Sequence, residues 1–173
     1  MNRTLETIYG RRTVRSFRTE QIPEEALEEI LRAGRYAPSA MGLQGRFFTV
    51  VQNRELMRDI VSATEKKGGK FLPGHIPFYN APTVLVLSVP STAKYGREDA
   101  ACAIMNILNA AWSLGLGTCY VCSTNPGLND PEITGRLCLP DHYAPVGCVC
   151  VGYPEGMIPN PKERRTGDVR YIR

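Results

Sequence analysis

The chain has 173 residues and a formal net charge of +4; 43% of its residues are hydrophobic and 22% are charged. This composition excludes a disordered protein and is sufficient for one domain with an extensive core. The first residues, MNRTLETIYGRR, lack the apolar run of a secretory signal, so we expect a cytoplasmic protein.

Positive charge is concentrated at the two ends of the chain. Residues 1–18 contain five arginines and one glutamate (+4), and residues 160–173 contain five basic and two acidic residues (+3). Nucleic-acid binding is disfavoured, because the basic residues are few and are not interleaved with exposed aromatic residues. The distribution favours a small phosphorylated ligand held between the two ends.

The N-terminal part predicts two helices, each followed by a segment suited to ligand binding. Asn2 is a suitable N-cap for a helix that ends near Gly10, and RRTVRSF (residues 11–17) follows it. Arginine binds phosphate through paired hydrogen bonds, so this segment is either a phosphate site or a solvated basic turn. An amphipathic helix at 23–36 precedes the irregular segment 37–46, whose small residues would let a backbone approach a flat ligand or form an ordinary surface loop.

The middle of the chain predicts three regular elements: a strand at 47–51, a helix at 54–66 capped by Asn53, and a buried strand at 81–89. The long irregular stretch 67–79 is a candidate lid over a site. His75 and Phe78 are its candidates for substrate contact, although a histidine in a loop is more often merely exposed.

A helix from Ala100 to Leu114 is apolar apart from Asn106, Asn109 and Ser113, which share one stripe. Such a helix is predicted to be buried on all sides, and a chain of this size surrounds it most easily with a second subunit. It is too short and contains too many asparagines for a membrane span. The sequence therefore predicts a homodimer without a membrane segment.

The C-terminal part predicts a second central strand (116–122), a short helix (129–138), a third buried strand (144–151) and a basic tail from residue 154. This order of elements predicts an α+β or three-layer α/β domain. Four of the six cysteines lie in apolar, β-rich runs: Cys119, Cys122, Cys148 and Cys150. Buried free thiols are the favoured interpretation, and a redox pair or a metal site remains open.

Four motifs follow one another along the chain: RRTVRSF near the N-terminus, APSAMGLQ after the second helix, LGLGTCY after the long helix, and VGYP before a tail with Lys162-x-Arg164. They are similar to those of the nitroreductase family of FMN-dependent oxidoreductases. Each motif is unspecific alone, but together they span nearly the whole chain in family order. The resemblance implies an α+β fold of three α/β/α layers with a mainly antiparallel sheet. It also implies one domain over residues 1–173, whose C-terminal arm (about 154–173) is exchanged in a homodimer.

The resemblance further implies that FMN binds at the subunit interface and carries hydride from NAD(P)H to a small-molecule electron acceptor in a ping-pong reaction. The chemistry would then belong to the flavin, and no catalytic side chain and no metal are expected. The implied FMN-binding residues are Arg11, Arg12, Lys162 and Arg164 at the phosphate; Thr13 and Arg15 at the ribityl chain and pyrimidine edge; Pro38, Ser39, Ala40, Gly42 and Gln44 in a loop from the other subunit; and Val121, Cys122 and Ser123 near flavin N5.

Two positions depart from the family pattern. The family commonly has Asn at the Gly42 position, where it donates a hydrogen bond to the polar edge of the ring. It also has Pro-Trp where this chain has Gly45-Arg46, so that Arg46 places a charge where an aromatic ring is usual. These changes affect the prediction of the substrate more than that of the fold.

The leading interpretation is an FMN enzyme that reduces nitroaromatics, quinones or related electrophiles. The alternatives are a family branch with a dedicated substrate (reductive dehalogenation, enoate reduction, flavin fragmentation or peptide-azoline oxidation) and a non-catalytic FMN-binding protein. The sequence leaves open the acceptor and the choice among NADH, NADPH and ferredoxin as donor.

Overall fold

A four-stranded antiparallel sheet in the order β1-β2-β4-β3 forms the centre of the computed structural model, which describes residues 2–158 and 160–173. Met1 and Pro159 lie outside the described residues. The strands are β1 (Phe47–Val51), β2 (Thr83–Pro90), β3 (Gly117–Val121) and β4 (Tyr143–Gly152). The helices are α1 (Arg3–Gly10), α2 (Glu24–Arg35), α3 (Arg54–Lys66), α4 (Gly96–Ser113), α5 (Asn125–Leu128) and α6 (Pro131–Arg136).

Helices cover both faces of the sheet, so the predicted α+β fold with three layers is confirmed. Successive residues of a strand point to opposite faces, and Val84 and Leu85 of β2 accordingly enter two different cores. Val84 packs in a core with Ile60 of α3, and Leu85 packs in a second core with Ile107 of α4. Because both faces are covered, β2 and β4 are continuous apolar runs although the sheet is antiparallel.

Side-chain caps begin two of the helices as predicted. Asn2 Oδ1 accepts a hydrogen bond from Leu5 N (3.0 Å), and Asn53 Oδ1 accepts one from Leu56 N (2.9 Å). The long helix α4 begins at Gly96, earlier than its apolar run, because its first turn is polar. The short helix α5 was not predicted.

The prediction of β3 as a central strand is wrong, because β3 lies at the edge of the sheet. Its free edge is covered at its start by the segment after α1. Thr13 forms an isolated parallel bridge with Thr118, and Val14 N donates to Thr118 O (2.9 Å). This covering segment buries Gly117, Thr118 and Cys119, so the strand has the apolar composition of a central one.

The prediction that α4 is buried on all sides is wrong for a single chain. The face that includes Ala103 and Ile107 is buried, whereas Ala101, Cys102 and Met105 on another face are exposed. Asn106, one of the three polar residues of the stripe, forms a hydrogen bond within the chain: its Nδ2 donates to Ala33 O of α2 (3.0 Å). Within residues 2–158 and 160–173, this apolar face of α4 is therefore left uncovered.

The described part of the tail, residues 155–158 and 160–173, is exposed and contains neither helix nor strand. Across residues 2–158 and 160–173, no helix has the length and apolar character needed to cross a membrane.

Candidate functional site

The basic segment after α1 is fixed against the sheet at both ends. At its start, Val14 packs against Gly117, where an added Cβ would lie 2.7 Å from Val14 Cγ2, so β3 has to begin with glycine. At its end, Arg18 N donates to Tyr153 O (3.0 Å) and Glu155 N donates to Ser16 O (2.9 Å). The segment thus runs from the edge of β3 to the beginning of the C-terminal tail.

Arg11 lies at the centre of a cluster of cations. Its guanidinium is partly buried, and its Nε is a buried donor without a hydrogen-bond acceptor. Burial, and then the charges of Arg12 and Arg164, lower the pKa of Arg11. Among the described residues, no carboxylate forms an ion pair with these three arginines. Mutually repelling cations around an orphaned donor are a suitable site for an anion.

The other predicted phosphate residues behave differently. Arg12 Nη1 donates to Tyr9 O and Arg11 O, both at 2.7 Å. Part of its guanidinium therefore forms hydrogen bonds with carbonyls at the C-terminal end of α1. Arg164 belongs to the exposed tail, and its charge contributes to the lowered pKa of Arg11. Lys162 is exposed in the same tail.

Arg15 links the basic segment to the long irregular stretch that precedes β2. Burial raises the pKa of Tyr79, and the adjacent Arg15 opposes this shift. The ring of His75 lies between Phe71 and Tyr79, with centroid distances of 5.8 and 5.5 Å. Phe78 is only 5% exposed and packs in the core, but it also lines a cavity together with His75. Its contact with substrate stays a prediction.

The turn Val121–Ser123 at the end of β3 is held from beneath by buried polar groups. Cys148 Sγ donates to Val121 O (3.4 Å), and Asn125 N donates to Cys122 O (3.1 Å). One step deeper, the fully buried Thr64 Oγ1 donates to Ile60 O (2.8 Å) and accepts from Gly127 N (3.1 Å), with Thr124 O at 3.3 Å. Sequence reasoning missed this support, because Thr64 continues the apolar stripe of α3.

The cysteines divide into two groups. Cys119, Cys148 and Cys150 are buried, and burial raises the pKa of each thiol, to about 12 for Cys148. Cys102, Cys122 and Cys138 are exposed. The expectation of burial is therefore wrong for Cys122, because the strand has already ended at Val121. In the part of the chain that the structure describes, no three His, Cys, Asp or Glu side chains are grouped as metal ligands.

The third predicted segment, residues 37–46, has a contorted backbone. Met41, Gly42 and Gln44 have φ values of 52°, 67° and 51°. Ser39 Oγ accepts from Gln44 N (2.9 Å), and Asp99 Oδ1 of α4 accepts from Ala40 N (2.9 Å). A cavity of about 510 Å³ is lined by residues on and beside this segment: Arg35, Tyr36, Ala37, Pro38, Ser39, Gly42 and Gln44.

The predicted site residues form two groups that one chain does not bring together. The loop contacts the first turn of α4 at Asp99, whereas Gly10, next to Arg11, packs against Trp112 in its last turn. At 1.5 Å per residue, these contacts are about 20 Å apart along the helix. Among the described residues, no hydrogen bond joins segment 37–46 to residues 11–15 or 121–123.

Comparisons with known proteins agree with the fold and with the motifs. The model of the Nitroreductase family matches residues 8–153. A putative NADH dehydrogenase/NAD(P)H nitroreductase of Methanothermobacter thermautotrophicus is 31% identical over 155 residues, which are 87% of this chain and 76% of that protein. A nitroreductase with bound FMN from Bacteroides fragilis superposes with a TM-score of 0.89 at 32% identity. A second, from Desulfitobacterium hafniense, gives 0.90 at 27%, and in both cases the whole of each chain is covered. The predicted resemblance is confirmed: this chain is an oxidoreductase that belongs to the nitroreductase family.

Proposed function

We propose that the chain is an FMN-dependent oxidoreductase that uses NAD(P)H to reduce a small electrophilic acceptor, such as a nitroaromatic or a quinone. The observation that carries the proposal is the cation cluster at Arg11, which lies at one end of the β3 edge. The turn Val121–Ser123 lies at the other end of the same edge, so a ligand along this edge would contact both. FMN has a phosphate at one end and a flat ring at the other.

The residues present fit this cofactor. A phosphate would supply the acceptor that Arg11 Nε lacks and would offset the repulsion among Arg11, Arg12 and Arg164, with Lys162 as a further cation from the tail. Thr13 lies at the edge of β3 through its bridge with Thr118, and we assign it and Arg15 to the ribityl chain and the pyrimidine edge. When bound, FMN would accept a hydride from NAD(P)H and deliver it to the acceptor in a ping-pong reaction.

The chain's own residues would bind the flavin, orient it and polarise its ring. Arg15 would place a fixed positive charge near the pyrimidine edge, which favours the reduced, negatively charged form of a flavin. At the end of β3, backbone groups of Val121, Cys122 and Ser123 would face the hydride-accepting position. Their geometry is set by Cys148 and Thr64 beneath them.

We further propose that the working form is a homodimer. The open apolar face of α4 needs cover, and the loop with Pro38, Ser39, Ala40, Gly42 and Gln44 lies too far from Arg11 to serve the same flavin. A partner packed against α4 in the opposite direction would bring its loop to the flavin ring. Residues 1–173 would then form one FMN-binding domain whose arm, residues 154–173, extends over the partner.

The test is a visible absorption spectrum of the purified protein, followed by anaerobic addition of NADH and then NADPH. We expect a flavin spectrum that bleaches and that recovers when a nitroaromatic or quinone is added. A flavin that is never reduced would favour a non-catalytic FMN-binding protein. A colourless protein that also fails to bind added FMN would refute the proposal.

A further inference from the structure

Arg46 follows the contorted segment and forms hydrogen bonds back to its beginning. We refer to residues 37–46 as the Pro38 loop. Arg46 Nη1 donates to Pro38 O (2.8 Å), and Nη2 donates to Ala37 O (2.9 Å) and, more weakly, to Arg35 O (3.5 Å). One guanidinium thus closes the loop across its base.

The charge of Arg46 is stabilised by backbone carbonyls. They belong to Arg35, the last residue of α2, and to Ala37 and Pro38, the second and third residues beyond it, where the helix dipole is negative. In the described part of the chain, Arg46 forms no ion pair with a carboxylate. The planar guanidinium donates in several directions at once, which the single ammonium of a lysine does not reproduce.

Asp99 holds the same loop from the side of α4. Its Oδ1 accepts a hydrogen bond from Ala40 N, immediately before three left-handed residues. Left-handed backbone is unfavourable for residues such as Met41 and Gln44 and persists where surrounding contacts impose it. Met41 is 85% and Leu43 is 68% exposed, so no buried side chain at the tip of the loop does so. Besides the backbone hydrogen bonds within the loop, side-chain hydrogen bonds from Arg46, Asp99 and the Ser39 hydroxyl hold it.

We propose that Arg46 and Asp99 are positioning residues that hold the Pro38 loop in the conformation that contacts FMN bound to the other subunit. This inference rests on the proposed function. On this view, the charge at the position where the family commonly has tryptophan replaces aromatic packing with hydrogen bonds to the backbone. Arg46 touches neither flavin nor substrate and acts only through the loop.

The experiment compares four variants with the wild-type protein: Arg46→Ala, Arg46→Lys, Asp99→Ala and Arg32→Ala. Arg32 is the matched control, because it carries the same charge in the last turn of α2 but lies on the surface, where it pairs with Glu29 and lies over the ring of Tyr36. FMN affinity is measured by fluorescence titration of the apoprotein, and the loop by the visible circular dichroism of bound FMN. Arg46→Ala is also titrated with guanidinium at concentrations far below those that unfold the protein.

We expect Arg46→Ala to weaken FMN binding by about tenfold, the change that corresponds to about 1.4 kcal/mol, with an altered visible circular dichroism spectrum. Asp99→Ala should have a smaller effect in the same direction, Arg46→Lys should not restore the affinity, and added guanidinium should restore part of it. Arg32→Ala should bind FMN like the wild type. If Arg46→Ala does not fold, the FMN affinities of Arg46→Lys and Asp99→Ala still test the proposal.

Two outcomes are distinguishable. If the wild type binds FMN and all four variants bind it with the same affinity and the same spectrum, the positioning role is refuted while the proposed function stands. The same conclusion follows if Arg46→Ala lowers the melting temperature but leaves the FMN affinity and the visible circular dichroism spectrum unchanged. If the wild type itself does not bind FMN, the proposed function fails.

Discussion

Replacement of Arg11 by alanine tests the phosphate site directly. The change removes a partly buried guanidinium whose Nε has no acceptor and whose neighbours are Arg12 and Arg164. A hydrogen bond to a charged group contributes about 1.5–3 kcal/mol, so we expect FMN to bind about 10- to 150-fold more weakly. The apoprotein should be at least as stable as the wild type, because the deleted group is desolvated and repelled by two other cations.

These two effects have opposite signs, which separates a ligand site from a structural contact. FMN affinity is measured by fluorescence titration and apoprotein stability by thermal unfolding. Arg18→Ala is the control, since Arg18 lies exposed in the same segment and only its backbone N–H is used. Inorganic phosphate should stabilise the wild type and Arg18→Ala more than Arg11→Ala. Unchanged FMN affinity in Arg11→Ala, or a marked loss of apoprotein stability, would show that the reasoning is wrong.

Three further predictions concern the rest of the site. FMN should protect the exposed Cys122 from alkylation by iodoacetamide, whereas Cys138, also exposed, should be labelled equally with and without FMN. Labelling is measured by mass spectrometry of the peptides. If FMN changes the labelling of both thiols to the same extent, the proposed position of the flavin is wrong. Burial raises the pKa of Cys148 to about 12 from 9.0, so the unfolded state loses this proton first as the pH rises. The free energy of unfolding should therefore fall by up to about 1.4 kcal/mol per pH unit above the ordinary thiol pKa. Denaturant unfolding across this range should show a shallower decline for Cys148→Ala, and identical slopes would count against the assignment. Gly42→Asn should fold normally, because asparagine tolerates a φ of 67° better than most residues and nothing lies within 4 Å of an added Cβ. The variant should bind FMN at least as tightly as the wild type. A higher Kd in fluorescence titration would contradict this.

The sequence was sufficient for the fold wherever burial and periodicity agree. The apolar runs of β2 and β4 predicted the two central strands, and the caps of α1 and α3 followed from Asn2 and Asn53. Prediction failed at β3, because a strand edge covered by an irregular segment with a single bridge has the same composition as one covered by a strand. It also failed for α4, because an all-apolar helix does not show which of its faces its own chain covers.

For the site, the resemblance named residues but not what supports them. The carbonyls that Arg46 contacts depend on a loop with left-handed residues, which no periodicity reports. Thr64 has the spacing of an apolar stripe, so its hydrogen bonds beneath the turn after Val121 were not predictable. The exposure of Cys122 depends on a strand that ends one residue earlier than the apolar run suggests.

The fold explains why the two basic ends of the chain belong together. The bridge between Phe17 and Pro154 places the start of the tail beside the N-terminal segment, and Arg164 then lies near Arg11. Without a ligand, this arrangement brings like charges together, an unfavourable contact that solvent screens at the exposed Arg164. An anion that binds only the folded chain removes that repulsion and adds RT ln(1 + [L]/Kd) to the free energy of unfolding. The charge asymmetry of the sequence, unfavourable for folding by itself, is therefore best understood as part of a fold that is completed by its phosphorylated cofactor.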